Sequence, residues 1–353
     1  MIQVRNGWAR RRFFAFAVGA SLLMVGCANN APQDTLEPAG PIARKIDNLY
    51  TPIFWIAVAI FFMVAAIIVV AVFRFRSRPD GVEPKQIHGS TKLEIGWTIL
   101  PVLLMIGVAV PTISTIFDLA EEPKGDVLSV NVTGHLWWWE YEYPDLGIRT
   151  ANELHIPVDR PIRLSLRSKS PTVADQPTGV IHSFWVPKLA GKQDVVPGRT
   201  NKMTIEADTP GTYKGQCAEF CGISHAYMRL RVVAESADDF DAWTKEQRLA
   251  AVPPTSSEAL AGLDVFSGKT GKQSCGSCHT VNGLAGAEGQ VGPDLTHLLS
   301  RTTFAGAIFD MTNENLVKWL ENPPKRKAGS KMPNLGLSGD EIDKLVAYLE
   351  TLR

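Results

Sequence analysis

Residues 217–228 read Cys-Ala-Glu-Phe-Cys-Gly-Ile-Ser-His-Ala-Tyr-Met, and an upstream segment reads His182-Ser-Phe-Trp-Val. Together they offer two thiolates, two imidazoles and one thioether, a soft set of ligands that favours copper over hard cations. Two cysteines in one such run can bridge two copper ions, each of which takes one histidine, His182 or His225. The Met228 thioether and the Glu219 backbone carbonyl would then be weak outer ligands. The pattern predicts a dinuclear copper site.

Two other interpretations of the cysteine pair are open at this point. Cys217 and Cys221 could form a disulfide, or they could hold a structural zinc ion together with the two histidines. A disulfide leaves the histidines and Met228 without a role, and zinc has little use for a thioether. The ligand types therefore favour copper.

Apolar and polar residues alternate through residues 128–132 and 162–167. Such alternation predicts strands with one buried face. We predict an all-β Greek-key sandwich of the cupredoxin type over residues 124–238. Loops from different strands meet at one end of such a sandwich, which would bring His182 close to Cys217.

A second metal signal is Cys275-Gly-Ser-Cys278-His279, which has the spacing of a c-type haem attachment site. The two cysteines would hold the haem covalently, and His279 would then lie under the iron. Haem iron in electron carriers usually takes a second, thioether ligand. A zinc site is disfavoured here because His297 is the only further ligand close by in the sequence.

Met332 is the predicted second axial ligand of the haem iron. It lies in the segment Lys331-Met-Pro-Asn, which Pro333 keeps out of a helix. Met311 is the alternative, but it precedes a predicted helix and is a better candidate for the hydrophobic core.

Two uncharged apolar stretches, residues 52–73 and 95–117, are each long enough to cross about 30 Å of hydrocarbon. They predict a transmembrane helical hairpin within residues 51–118. The connecting residues 74–92 carry more Lys and Arg than Asp and Glu, so the loop should be cytoplasmic. The metal-binding segments would then lie on the periplasmic or extracellular side of a bacterial cytoplasmic membrane.

The first residues of the chain predict export. Arg10-Arg11-Arg12 precedes an apolar run over residues 13–25, which is the layout of a secretory signal. The small residue before Cys27 resembles a bacterial lipoprotein cleavage site, so residues 1–26 would be removed and Cys27 lipidated. Ordinary cleavage nearby and an uncleaved signal are the alternatives.

Length and composition indicate several modules. The 353 residues include 36 Lys and Arg against 36 Asp and Glu, so the net charge is zero and no nucleic-acid-binding surface is indicated. The predicted units are a signal peptide (1–26), an exported segment (27–50), the hairpin (51–118), the sandwich (124–238), a linker (239–257) and an all-α haem domain (258–353).

The copper motif resembles the dinuclear copper centre of cytochrome c oxidase subunit II, and the resemblance extends through most of residues 45–235. Residues 258–353 resemble a class I cytochrome c, in which Pro293 matches the proline whose carbonyl accepts a hydrogen bond from the axial histidine. The whole chain is thus similar to subunit II of caa-type haem-copper oxidases, in which a cytochrome c domain is fused to the carboxyl end.

The resemblance implies a function. Electrons from an upstream cytochrome c or a cytochrome bc complex would enter at the fused haem and pass to the dinuclear copper. They would go on to subunit I, where oxygen is reduced and protons are translocated, and subunit III would be a further partner. A membrane-anchored haem and copper carrier for another reductase is one alternative, and a quinol-oxidase subunit without metals is another.

Three residues take on roles from the resemblance. Trp137, in the segment Gly134-His-Leu-Trp, matches an exposed residue at which electrons enter the copper centre. Glu94 matches an acid at the inner mouth of a proton channel, although an interfacial carboxylate beside Lys92 is the simpler alternative. The Glu219 carboxylate would bind Mg²⁺ or Mn²⁺ at the boundary with subunit I.

Mass spectrometry of the mature amino terminus tests the prediction of export. We expect a diacylated or triacylated Cys27, because the basic cluster, the apolar run and the small residue before the cysteine form one processing signal. An unmodified terminus upstream or downstream of Cys27 would refute lipidation and would leave the two-helix topology standing.

Overall fold

The computed structural model describes residues 31–76, 86, 88–169, 172–173, 176–177 and 179–353. The predicted signal peptide with Cys27, and residues 77–85 of the loop in the hairpin, lie outside these ranges.

Two long helices, α1 (Pro41–Arg74) and α2 (Thr91–Ala120), correspond to the predicted hairpin. Both are apolar and long enough to cross a membrane, and the apolar stretch of each is exposed along its length. The connecting loop joins the end of α1 to the start of α2. The start of α1 and the end of α2 therefore lie at the other end of the hairpin, next to the β domain.

Helix α1 begins at Pro41, ten residues before the predicted start of the hairpin at residue 51. Its first turn packs on the β domain: Ala43 is buried, and a Cβ on Gly40 would lie 1.9 Å from the carbonyl oxygen of Glu206. Arg44 also forms an ion pair with Asp208. These contacts with a distant part of the chain stabilise helical turns that the apolar pattern alone does not indicate.

A β-sandwich follows the hairpin. Its strands are β1 (Leu128–His135), β2 (Trp138–Tyr143), β3 (Ile148–Ala151), β4 (Glu153–Pro157), β5 (Ile162–Ser168), β6 (Thr172–Val173), β7 (Gln176–Pro177), β8 (His182–Trp185), β9 (Gln193–Val195), β10 (Asn201–Ile205), β11 (Gly211–Cys217) and β12 (Arg229–Glu235). One sheet has the order β10-β5-β1-β2-β3, the other β4-β12-β11-β8-β9, and β6 pairs with β7 alone.

The predicted alternation places one face of each sheet in a common core. Strands β1 and β5 are parallel with Val130 opposite Leu164, so the apolar residues of both strands point to the same face. Trp139, Tyr141 and Tyr143 of β2 are fully buried. The buried Tyr143 hydroxyl has a hydrogen-bond partner, because it donates to the carbonyl oxygen of His155 at 2.7 Å.

Helix α3 (Ala237–Gln247) occupies residues 239–247 of the predicted linker, which spans residues 239–257. Ser236 caps it by accepting a hydrogen bond from the Asp239 amide at 3.2 Å. Phe240 and Trp243 bury one face of the helix against the sandwich. The irregular connection is therefore confined to residues 248–256.

The carboxyl-terminal domain contains α4 (Ser257–Phe266), α5 (Asn313–Glu321), α6 (Pro323–Arg326) and α7 (Gly339–Leu349). A two-residue ribbon, β13 (Thr303–Phe304) with β14 (Phe309–Asp310), adds a short β element to this helical domain. Together with the hairpin and the sandwich, these helices confirm the predicted fold class. The order of the three units along the chain is the predicted one.

Helices α4 and α7 cross closely at Gly262. A Cβ at this position would lie 1.9 Å from the Lys344 carbonyl oxygen and 2.8 Å from the Tyr348 Cβ. We expect Gly262→Ala to destabilise the carboxyl-terminal domain by about 1–3 kcal/mol, because two backbones would have to separate. Urea unfolding followed by circular dichroism measures the change in the free energy of unfolding.

Gly339→Ala is the matched control, since Gly339 is also helical and nothing lies within 4 Å of the point that a Cβ would occupy there. Equal stability of the Gly262→Ala variant and the wild-type chain would contradict the tight crossing.

Candidate functional site

The predicted copper ligands converge at one end of the sandwich. Strands β8 and β11 pair with Cys217 opposite Phe184, which brings His182, two residues away in β8, to the same end. The loop after Cys217 is held at both sides, because the Cys217 amide donates to the Met228 carbonyl and the Ala218 amide donates to the Ser183 carbonyl, both at 2.9 Å.

The ligand atoms form a connected cluster. The two cysteine sulfurs lie 3.8 Å apart, the Cys217 sulfur lies 3.8 Å from His182 Nδ1, and the Cys221 sulfur lies 3.6 Å from His225 Nδ1. The Met228 sulfur lies 3.9 Å from the Cys221 sulfur. Each cysteine thus has one histidine beside it.

Cys217 and Cys221 are not joined by a disulfide in this structure. A disulfide requires sulfur atoms about 2.05 Å apart, and Cys217 and Cys221 are free at 3.8 Å. His182 and both cysteines are buried with their ligand atoms within 4.8 Å of one another, so these three groups suit a metal ion. Met228 adds a fully buried thioether, which fits a soft metal.

The pKa values of the two cysteines move in opposite directions. The pKa of Cys217 is lowered, chiefly because the Cys221 thiol hydrogen-bonds to its thiolate, and the same contact raises the pKa of Cys221. The pair therefore loses one proton more readily than the other. A metal cation that bound both sulfurs would displace the second proton as well.

The predicted haem ligands line one cavity of about 470 Å³, whose wall is formed by the carboxyl-terminal domain and by residues of the β domain that include Trp137. Cys275, Cys278, His279 and Met332 all contribute to its wall. Met311 is absent from the described residues that line the cavity. The indole N–H of Trp319 donates to the Met332 sulfur at 3.2 Å.

The second ring nitrogen of His279 has the expected partner. His279 Nδ1 lies 2.8 Å from the carbonyl oxygen of Pro293. Burial lowers the pKa of His279, so the neutral imidazole that ligates a metal is favoured. Gly292 is required at its position, because a Cβ there would lie 2.4 Å from the His279 ring.

Arg301 is a residue of the cavity that the sequence patterns did not indicate. Its side chain lines the cavity, is only 7% exposed and donates to the Asp294 carbonyl oxygen at 2.7 Å. Within the described part of the chain, Arg301 Nε is buried with no partner. A buried, incompletely paired guanidinium suits a carboxylate group such as a haem propionate. No spacing rule in the sequence distinguishes Arg301 from a surface arginine.

Trp137 is buried, with 7% exposure, whereas the resemblance implied an exposed residue. The reason is that the carboxyl-terminal domain covers it: a Cβ on Gly329 would lie 2.9 Å from the indole ring. On its other side, Trp137 Nε1 donates to the Cys221 carbonyl oxygen at 2.8 Å. Trp137 therefore contacts both domains.

The two remaining candidates are exposed. Glu219 directs its backbone carbonyl towards the Cys217 sulfur at 3.2 Å, and the residue is exposed to solvent. Glu94 lies in the first turn of α2, on the side of the connecting loop.

Three family models match the chain. Cytochrome c oxidase subunit II, transmembrane domain, matches residues 29–115, and the periplasmic domain of the same subunit matches residues 146–236. Cytochrome c matches residues 266–353.

Individual proteins are similar over nearly the whole chain. Cytochrome c oxidase subunit 2 of Alkalihalophilus pseudofirmus is 37% identical over 341 residues, which cover 94% of each chain. That of Bacillus subtilis is 35% identical over 352 residues, covering 94% of this chain and 95% of that protein. The crystal structure of the periplasmic domain of subunit II of cytochrome oxidase from Bradyrhizobium japonicum is 30% identical, with a TM-score of 0.32, and covers 36% of this chain and 96% of that one.

Substitution of the two methionines tests the assignment of the axial ligand. Met332→Ala should abolish the weak long-wavelength absorption that reports iron–sulfur ligation, because its sulfur reaches the cavity, while Cys275 and Cys278 keep the haem attached. Met311→Ala is the control and should keep the band. The opposite pattern in the two optical spectra would assign the ligand to Met311.

Proposed function

We propose that this chain, which belongs to the cytochrome c oxidase subunit II family and carries a C-terminal cytochrome c domain, passes electrons from a c-type haem through a dinuclear copper centre to subunit I. As a member of this family it is a membrane-anchored subunit of a haem-copper terminal oxidase. Oxygen reduction would take place in subunit I.

The contact at Trp137 carries the proposal. The indole N–H bonds the carbonyl of Cys221, a proposed copper ligand, and the ring lies against Gly329, three residues before Met332. The Trp137 side chain therefore joins residues 217–228, the copper loop, to the loop that carries Met332. This contact is the route by which electrons would cross from one domain to the other.

The residues of the copper loop determine how the centre is held. Cys217 and Cys221 would share both ions, His182 and His225 would each bind one, and the Met228 sulfur and Glu219 carbonyl would be weak ligands. A mixed-valence copper pair spreads one electron over two metals. Backbone hydrogen bonds fix both ends of the loop, so the ligands move little when the charge changes.

The residues of the haem cavity hold and orient the group. Cys275 and Cys278 would form its covalent bonds, and His279 and Met332 would be the axial ligands. The Pro293 carbonyl fixes the orientation of His279, and Arg301 offers its unpaired Nε to a carboxylate.

The surroundings of the chain follow from the same function. Both metal domains would lie on the outer side of the membrane, and an upstream cytochrome c or cytochrome bc complex would be the donor. The exposed Glu219 carboxylate would bind Mg²⁺ or Mn²⁺ against subunit I. Glu94 would serve proton uptake for translocation, and subunit III would complete the assembly.

Flash reduction of the haem in the purified oxidase tests this route. The haem should be reoxidised as the copper is reduced, at a rate independent of protein concentration, because donor and acceptor share one chain. Transient absorption measures both steps.

A variant with Cys217→Ser and Cys221→Ser is the control, because it removes both proposed bridging ligands. Its haem should stay reduced for much longer after the flash. Equally fast reoxidation in this variant, or a rate that scales with protein concentration, would contradict the proposed route.

A further inference from the structure

Lys327 is a buried lysine at the boundary between the carboxyl-terminal domain, here called the haem domain, and the β domain, here called the copper domain. It is only 4% exposed, and its Nζ donates to the carbonyl oxygens of Trp137 at 2.6 Å and Ala305 at 2.8 Å. Lysines are seldom buried without an ionic partner. None of the carboxylates in the described part of the chain lies within ion-pair distance of this amine.

The amine is closely surrounded. A Cβ on Gly306 would lie 2.6 Å from Lys327 Nζ and 3.1 Å from the Trp137 carbonyl oxygen. Burial lowers the pKa of Lys327 to about 7. A neutral amine keeps two N–H donors, so both hydrogen bonds persist whether or not the group is charged.

The ring of Trp137 lies between two glycines from different domains. A Cβ on Gly222, in the copper loop, would lie 3.2 Å from the indole, and a Cβ on Gly329 would lie 2.9 Å from it. Both glycines have positive φ values, 109° and 78°. The backbone of each domain therefore reaches the ring directly, at positions where a side chain would be strained and would also collide.

Glu153 is a buried carboxylate of the copper domain that accepts hydrogen bonds from the haem domain. Glu153, at 1% exposure, accepts hydrogen bonds from the Thr302 amide at 3.0 Å, the Thr302 hydroxyl at 2.7 Å and the Thr303 hydroxyl at 2.5 Å. A buried ionisable group is tolerated only where its partners are in place. A shifted position would therefore take from Glu153 its partners in Thr302 and Thr303, and from Lys327 the Trp137 carbonyl, leaving the amine only the Ala305 carbonyl of its own domain.

We infer that Lys327 is a positioning residue for electron transfer between the two domains. It holds the Trp137 backbone while Gly329 contacts the ring, and Glu153 fixes the same docked position from the copper side. This inference rests on the proposed function and adds that the haem domain is docked in one position instead of searching for its partner on a flexible tether.

Lys327→Met in the purified oxidase tests the inference. Methionine fills a similar volume but cannot donate, so the Trp137 carbonyl loses its partner. After flash reduction of the haem, the rate of transfer to copper should fall by about tenfold or more, because a small misplacement of reacting groups is costly. The rate should also become dependent on solvent viscosity, because the domains would have to move into position before each transfer. In the wild-type chain, where the domains are already docked, the rate should not depend on viscosity.

Two variants accompany it. Lys325→Met removes an exposed lysine two residues away and should behave as the wild-type chain. Lys327→Gln keeps an N–H donor without the charge and should recover part of the rate. The haem absorption spectrum and the copper EPR spectrum should be unchanged in all three variants, which shows that the metal sites are intact.

Hydrogen exchange provides a measurement that does not depend on electron transfer. The Arg229 amide of the copper domain donates to the Gly306 carbonyl of the haem domain at 3.0 Å, so it reports the docked state directly. Its protection should fall in Lys327→Met and persist in Lys325→Met.

The outcomes distinguish the docking role of Lys327 from the electron route itself. An unchanged rate and unchanged Arg229 protection in Lys327→Met would overturn the inference. Haem-to-copper transfer that is absent from the wild-type oxidase would overturn the proposed function, and the exchange measurement would then decide the docking role of Lys327 alone.

Discussion

The position of Cys217 beside His182 is the constraint on which the metal-binding end of this protein depends. The two residues are 35 positions apart in the sequence, yet the Cys217 sulfur lies 3.8 Å from His182 Nδ1. The pairing of β8 with β11 makes this possible, because Cys217 lies opposite Phe184. Two five-stranded sheets around one core hold these strands in register, so the loop that follows Cys217 can fold over a fixed base.

The hairpin and the carboxyl-terminal domain both contact the sandwich. Helix α1 begins in contact with the β domain, through Gly40 and Ala43, and continues as an exposed apolar helix. The carboxyl-terminal domain packs on the copper loop and buries Trp137. Lys327 donates one of its two hydrogen bonds to the β domain, and the Glu153 carboxylate accepts from the carboxyl-terminal domain, so the contact between the domains is specific.

Much of the fold followed from local patterns. The apolar stretches at 52–73 and 95–117 predicted the two membrane helices, and the alternation at 128–132 predicted a strand of the sandwich. The patterns did not predict that α1 starts at Pro41 or that α3 fills part of the linker, because both depend on contacts with the β domain. For example, Phe240 and Trp243 stabilise α3 only because the sandwich provides a surface on which they are buried.

For the sites, the sequence by itself determined the types of ligand and their order in the chain, because metal preference depends on donor chemistry and a haem attachment motif is contiguous. Only the tertiary structure showed that the two free cysteine sulfurs lie 3.8 Å apart, each beside one histidine, and that Met332 instead of Met311 lines the cavity. It also decided that Trp137 is covered and that Lys327 and Glu153 are buried. The physical reason is that burial and pairing are set by residues far away in the sequence. A lysine inside a basic stretch and a lysine inside an interface have the same local sequence pattern, and they differ only in what the folded chain places against them.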